Sequence, residues 1–231
     1  MRRAAVLLAA LALPVSAAAA APRASLLVVG QSSTLRGPVS VSARAARVTV
    51  DGSHCRVGAG TALAALLRAK LPVGLKDYGA CSMKPADAAG LYVKSVAGQR
   101  ERGRSGWVYK LGPSTPSIGA ADTSGAFRSG AKVLWFWCRN GPSGCQRTLA
   151  VRPLSRSVAA GGTLRVKVTA YDDNGAGKPA AGATVAMGSA AATAGADGVA
   201  TLTAPSAHAT LDVVATQAQL VRSFPARVRV G

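Results

Sequence analysis

Between positions 164 and 171 apolar and polar side chains alternate: Leu164, Val166, Val168 and Ala170 interleave with Arg165, Lys167, Thr169 and Tyr171. A period of two marks a strand with one buried face. Short apolar runs follow at 183–187, 199–203, 210–215 and 226–230. Between them lie turn clusters such as Asp172-Asp173-Asn174-Gly175, Gly195-Ala196-Asp197-Gly198 and Ala204-Pro205-Ser206. Evenly spaced short strands with Gly and Asp turns predict an all-β sandwich over 148–231.

Upstream the pattern is mixed. An apolar run at 26–29 and loose alternation over 39–50 predict extended chain before a turn at Asp51-Gly52. Thr61 then stands as an N-cap before Leu63, Leu66, Leu67 and Lys70, which follow the spacing of one helical face. Pro72 and Gly74 stop that helix. The stretch 76–89 is irregular, and strands are expected at 91–96, 107–111 and 132–138, with a Gly/Pro/Ser loop at 112–125. Strands, one crossing helix and more strands predict an α+β layer over 22–147, with the helix on one sheet face.

The first residues predict an address. Arg2 and Arg3 precede an apolar run at 4–13, Pro14 breaks it, and small residues fill 16–21. That order predicts a secretory signal peptide over 1–21, cut next to Ala21. The run is shorter than a membrane span, and no later segment has about 18 consecutive apolar residues. The mature chain is therefore expected to be secreted or cell-wall associated, where cysteines oxidise. Cys55, Cys81, Cys138 and Cys145 admit three pairings. Proximity favours Cys55–Cys81 and Cys138–Cys145. Cys-x-x-Cys spacing is absent and the two histidines lie in different halves, so no metal site is expected.

Charge changes the list of partners. The chain has 28 Lys and Arg against 9 Asp and Glu, a formal +19. Two of those bases lie in the leader; 18 bases and 5 acids fall in 22–147, and 8 and 4 in 148–231. A surface this basic attracts polyanions such as anionic cell-wall polymers, but charge alone carries no sequence specificity for nucleic acid.

Catalytic chemistry is sparse. Glu101 is the sole glutamate, and neither a Gly-x-Ser-x-Gly elbow nor a His-Glu-x-x-His motif occurs. Residues 172–175 lack the alternating ligands of a calcium loop and read as an Asx turn. No cofactor and no enzymatic activity are expected. A hydrolase would need a cluster drawn from Asp51, Asp77, Asp87 and Asp122.

Two resemblances extend this reading. Val48-Thr49-Val50, the helix at 61–69, Tyr92-Val93 through Val96-Ala97-Gly98, Gly106-Trp107-Val108-Tyr109 and Val133-Leu134-Trp135-Phe136-Trp137 together resemble the transcobalamin-like C-terminal domain, a β-grasp module of secreted proteins. Lys110-Leu111-Gly112-Pro113 stands where that family usually has Asn-Gly, and Gly130-Ala131-Lys132 lacks its acid. The family's cobalamin-binding members enclose the vitamin with a helical barrel that this chain lacks, so cobalamin binding is not implied. Gly182-Ala183-Thr184-Val185, Thr193, Asp197-Gly198-Val199-Ala200 and Leu202 resemble bacterial immunoglobulin-like and carboxypeptidase-regulatory-like repeats, which implies a spacer or adhesive module.

The expected architecture is thus an α+β β-grasp domain followed by an immunoglobulin-like sandwich, with the boundary near Arg147. Trp107 and Tyr109 share a strand face, as do Trp135 and Trp137, so the four rings form either core or a stacking platform. Arg100, Arg102 and Arg104 on a Gly-containing loop offer forks for phosphate or carboxylate, or form a solvated hairpin tip. These seven residues are the candidate ligand site, for a small molecule, a glycan or a peptide. The rival expectations are a structural wall protein held by charge and an unrecognised hydrolase.

Overall fold

The computed structural model describes residues 20–231. The leader expected over 1–21 lies, apart from its last two residues, outside the described residues.

The first half is built on a four-stranded sheet of order β2-β1-β9-β8, comprising β1 (Arg23–Val29), β2 (Thr34–Ser42), β8 (Gly106–Leu111) and β9 (Ala131–Cys138). β1 and β9 are parallel, while β2 and β8 flank them antiparallel. A two-stranded ribbon, β3 (Ala46–Val50) with β4 (Ser53–Val57), forms a second sheet. A third joins β5 (Val73–Asp77), β6 (Leu91–Val96) and β7 (Gln99–Arg100). Gly37, at φ +92°, sits where the pairing of β2 with β1 slips, and a Cβ there would collide with the Leu26 carbonyl oxygen. Only glycine fits that bulge.

The expected α+β β-grasp layer is corrected here. Half of the described residues are strand and 7% are helical. The α-helix of this half is only Ala62–Leu66. Thr61 does cap it, its hydroxyl accepting from the Ala64 N–H at 3.1 Å. But Ala62 to Leu66 are all buried, so the segment has no solvent face and is too short to cover a sheet. Past Leu66 the chain tightens into i→i−3 turns, with the Arg68 N–H on the Ala65 carbonyl and the Ala69 N–H on the Leu66 carbonyl, before Lys70 takes φ +56°. Strands do the covering instead. Val50, Cys55 and Val57 from the ribbon and Leu91, Val93 and Val96 from β6 pack into one core with Leu26, Val28, Val133 and Trp135 of the large sheet.

The second half has two sheets. One holds β10 (Thr148–Pro153), β12 (Thr163–Tyr171), β13 (Gly177–Pro179) and β16 (Val199–Thr203). The other runs β11 (Ser157–Val158), β18 (Ala226–Val230), β17 (Ala209–Thr216), β14 (Thr184–Met187) and β15 (Ala190–Thr193) in that order. Leu164, Val166, Val168 and Leu202 from the first face Val185, Met187, Val213 and Val228 from the second across one hydrophobic core. This is an all-β sandwich, and the alternation read along 164–170 points inward and outward as the period demands.

A third, smaller apolar cluster bridges the halves. The opposite face of the large sheet, Leu27, Leu134 and Phe136, packs on Val221 and Phe224. The central strands β1 and β9 are therefore buried on both faces, which explains the unbroken apolar run along β9. Beside this cluster Lys110 is fully buried. Its ammonium donates to the Asp172 carbonyl at 2.7 Å, the Thr148 hydroxyl at 3.3 Å and the Tyr171 carbonyl at 3.4 Å. Asp172 Oδ1 accepts from the Asn174 and Ala176 N–H groups, which makes 172–176 the expected Asx turn.

Candidate functional site

The four ring-bearing candidates do come together. Register places Trp107 opposite Trp137 and Tyr109 opposite Trp135. The first pair is edge to face with centroids 5.9 Å apart, and the second is tilted at 5.4 Å. All four are buried, Trp135 to 2% exposure. Trp107 Nε1 donates to the Gln99 carbonyl at 2.7 Å, Trp135 Nε1 to the Ala62 carbonyl at 3.1 Å, and Tyr109 Oη to the Ile118 carbonyl at 2.9 Å. Buried aromatics with satisfied donors are core. The rings form no open platform.

One side of that core is nevertheless the floor of a cleft. Trp107, Tyr109 and Trp135 line it with Tyr78, Tyr92 and Ile118, around a volume of about 310 Å³. It opens where β8, the edge of the large sheet, lies beside β6 of the third sheet with no ladder between them. Because the floor's ring donors are already engaged, the floor presents carbon faces. The rim supplies phenol hydroxyls.

Tyr78 and Tyr92 are that rim, exposed to 69% and 36%. Tyr92 faces out because Leu91 and Val93 on either side of it face in. Gly106 makes room for it: a Cβ there would lie 3.0 Å from the Tyr92 hydroxyl oxygen. Burial first, and a hydrogen bond to Glu101 second, push the Tyr92 phenol above its usual pKa. Tyr78 is held by its neighbour. The Asp77 carboxylate accepts from the Gly79 and Cys81 N–H groups, both at 2.9 Å, which shapes the turn that presents the ring. Those bonds hold Asp77 below the ordinary carboxylate range. Cys81 anchors the turn's far end through its disulfide to Cys55.

Neither tyrosine was among the sequence candidates. Tyr92 carried a signal, as a lone aromatic at an outward position of an alternating strand. Tyr78 lies in a stretch that read as irregular and carried none.

The three arginines lie elsewhere. Arg100, the last residue of β7, and Arg102 and Arg104, in the turn between β7 and β8, are exposed and do not line the cleft. Arg100 borders a separate polar hollow with Lys94 and Glu101, which pair at 3.4 Å. The second disulfide joins Cys138 and Cys145.

The aspartates serve local structure. Asp51 pairs with Lys76 at 3.1 Å, Asp87 accepts from the Ser82 hydroxyl at 2.6 Å, and Asp122 accepts from the Ser124 N–H and hydroxyl at 2.8 Å. Among the described residues no group of three His, Cys, Asp or Glu could hold a metal ion, and no helix is long and apolar enough to cross a membrane.

No protein-family model matches this chain, and no curated protein matches it. The reading of the cleft therefore stands on its geometry.

Proposed function

We propose that this is an exported, non-enzymatic recognition protein whose first half binds a small ring-bearing ligand in the Tyr78–Tyr92 cleft. The second half acts as a spacer or adhesive module. The observation that carries this reading is an apolar cleft of about 310 Å³, floored by three buried rings and rimmed by two exposed tyrosines. That volume is at the lower end of small-ligand pockets, which are mostly apolar with a few placed polar groups. Carbon-faced rings below and phenol hydroxyls above suit the flat apolar face of a sugar ring or an aromatic side chain, with hydroxyl contacts at its edge. Export is supported by the leader-like start of the sequence and by two disulfides.

The test is a titration of the full mature chain with chitotriose, indole and the tripeptide Gly-Phe-Gly, following tryptophan emission. Trp107 and Trp135 lie in the cleft wall and report occupancy. Saturable quenching or a shift with one probe, lost in Tyr78→Ala/Tyr92→Ala, is the expected result. Emission unchanged by every probe at millimolar concentration removes the proposal.

A further inference from the structure

We infer that the outer face of the second half carries an oxyanion site, built from Arg156, Arg227 and Arg229, that takes the phosphate groups of an anionic surface polymer. The site is separate from the cleft and independent of it. Along β18 the alternation sends Val228 and Val230 into the core and Arg227 and Arg229 outward. Register then sets Arg229 between Ser157 of β11 and Thr210 of β17. The Arg229 N–H bonds the Arg156 carbonyl at 3.0 Å, which brings the third arginine alongside. These three arginines, with Ser157 and Thr210, border a hollow of about 320 Å³.

The local charge is uncompensated. Among the described residues the one carboxylate in ion-pair contact with these arginines is Asp212, whose Oδ1 lies 3.8 Å from Arg227 Nε, and both side chains are more than half exposed. A pair so long and so solvated holds its arginine weakly. Arg156 and Arg229 are in no ion pair among the described residues. Planar forks with fixed N–H donors match the oxygens of a phosphate, and serine and threonine hydroxyls supply further donors. A run of spaced lysines would attract any polyanion. Three forks around one hollow select a compact tetrahedral oxyanion.

The same sandwich contains its own charge-matched comparator. Arg152, Arg165 and Lys167 lie exposed on the other sheet, with Arg152 and Lys167 directly opposed in register. Replacing that trio removes the same charge and leaves the hollow intact.

The experiment measures binding of the full mature chain to poly(glycerol phosphate) at near-physiological salt, with polyglutamate and single-stranded DNA as separate arms. Arg156→Ala/Arg227→Ala/Arg229→Ala is expected to weaken poly(glycerol phosphate) binding at least about tenfold, as loss of charge-assisted hydrogen bonds implies. Arg152→Ala/Arg165→Ala/Lys167→Ala is expected to change it less than about twofold. Both triple variants are exposed-surface changes, so unchanged thermal unfolding of each shows that folding is intact. Equal weakening by the two variants overturns the site in favour of diffuse charge. Polyglutamate bound as tightly as poly(glycerol phosphate) overturns the phosphate preference, and DNA bound more tightly overturns the assigned polymer.

Discussion

Tyr78 and Tyr92 meet edge to face, ring centroids 5.9 Å apart and planes inclined by 65°. They come from different elements, one from the turn after β5 and one from the start of β6, and they converge on the mouth of a cleft whose floor is core. Binding and stability should therefore separate. Trp135→Ala, which empties a buried site, is expected to cost about 3–5 kcal/mol in urea unfolding. Tyr78→Ala, at an exposed position, is expected to stay within about 0.5 kcal/mol. Comparable losses in the two would place Tyr78 in the core instead of on a rim.

The turn that carries Tyr78 should respond to acid. Asp77 is held below its ordinary pKa of 3.8 by the Cys81 and Gly79 N–H bonds. A depressed carboxylate contributes stability that is complete above the unfolded value and is lost as pH falls through the folded one. Protection of the Gly79 and Cys81 amides, relative to their intrinsic exchange rates, should thus hold down to about pH 4, then fall below it. Asp77→Asn, which keeps an acceptor but no charge, should be less protected at neutral pH and show no such fall.

Lys110 should carry a pH dependence of the same sign at the alkaline end. Burial pushes its ammonium below the usual lysine value, and Asp173 and Asp172 only partly restore it. The folded chain then releases that proton before the unfolded chain does, so stability rises with pH through the window that ends near the ordinary value of 10.5. Lys110→Met removes this rise. At pH 7 the variant also leaves the Asp172 carbonyl and Thr148 hydroxyl without their donor, an expected loss of about 1–3 kcal/mol. Stability curves that coincide across alkaline pH would show that the ammonium does not bridge the halves.

The disulfides give a graded pair of outcomes. Cys55 and Cys81 close a loop with a sequence separation of 26, and Cys138 and Cys145 one of 7. Chain entropy predicts that Cys55→Ala/Cys81→Ala costs about 3 kcal/mol or more and Cys138→Ala/Cys145→Ala somewhat less. The first should also loosen Tyr78, because Cys81 fixes its turn. Guanidinium unfolding of the two double variants provides the ranking.

Elements whose burial follows local periodicity could be read directly. The alternation at 164–170 became β12, and the runs at 199–203 and 226–230 became β16 and β18 with the same bounds. The Thr61 cap was legible too, since it depends on four consecutive residues. The helix that followed it was over-read. Leu63, Leu66 and Leu67 fit one helical face, yet the alanines between them are also buried, and periodicity cannot distinguish a covering helix from a turn sunk in a core. The two-residue β11 escaped because its partner β18 is distant in sequence, and β5 and β13 because Gly or Pro interrupts their short runs. The aromatic cluster was found and its burial was not. Position on a strand fixes which rings share a face, whereas exposure depends on what packs there. Tyr78 was invisible for the same reason, since only the Asp77 turn brings it to Tyr92.

The most direct measurement of the central claim is a two-dimensional NMR titration of the full mature chain with chitotriose and, separately, indole. Shift changes should centre on Tyr78, Tyr92, Ile118 and the Trp107 indole, and should vanish in Tyr92→Ala while the Trp135 indole signal remains. Shifts scattered over the surface, or centred on the second half for both probes, would contradict a recognition cleft between β6 and β8.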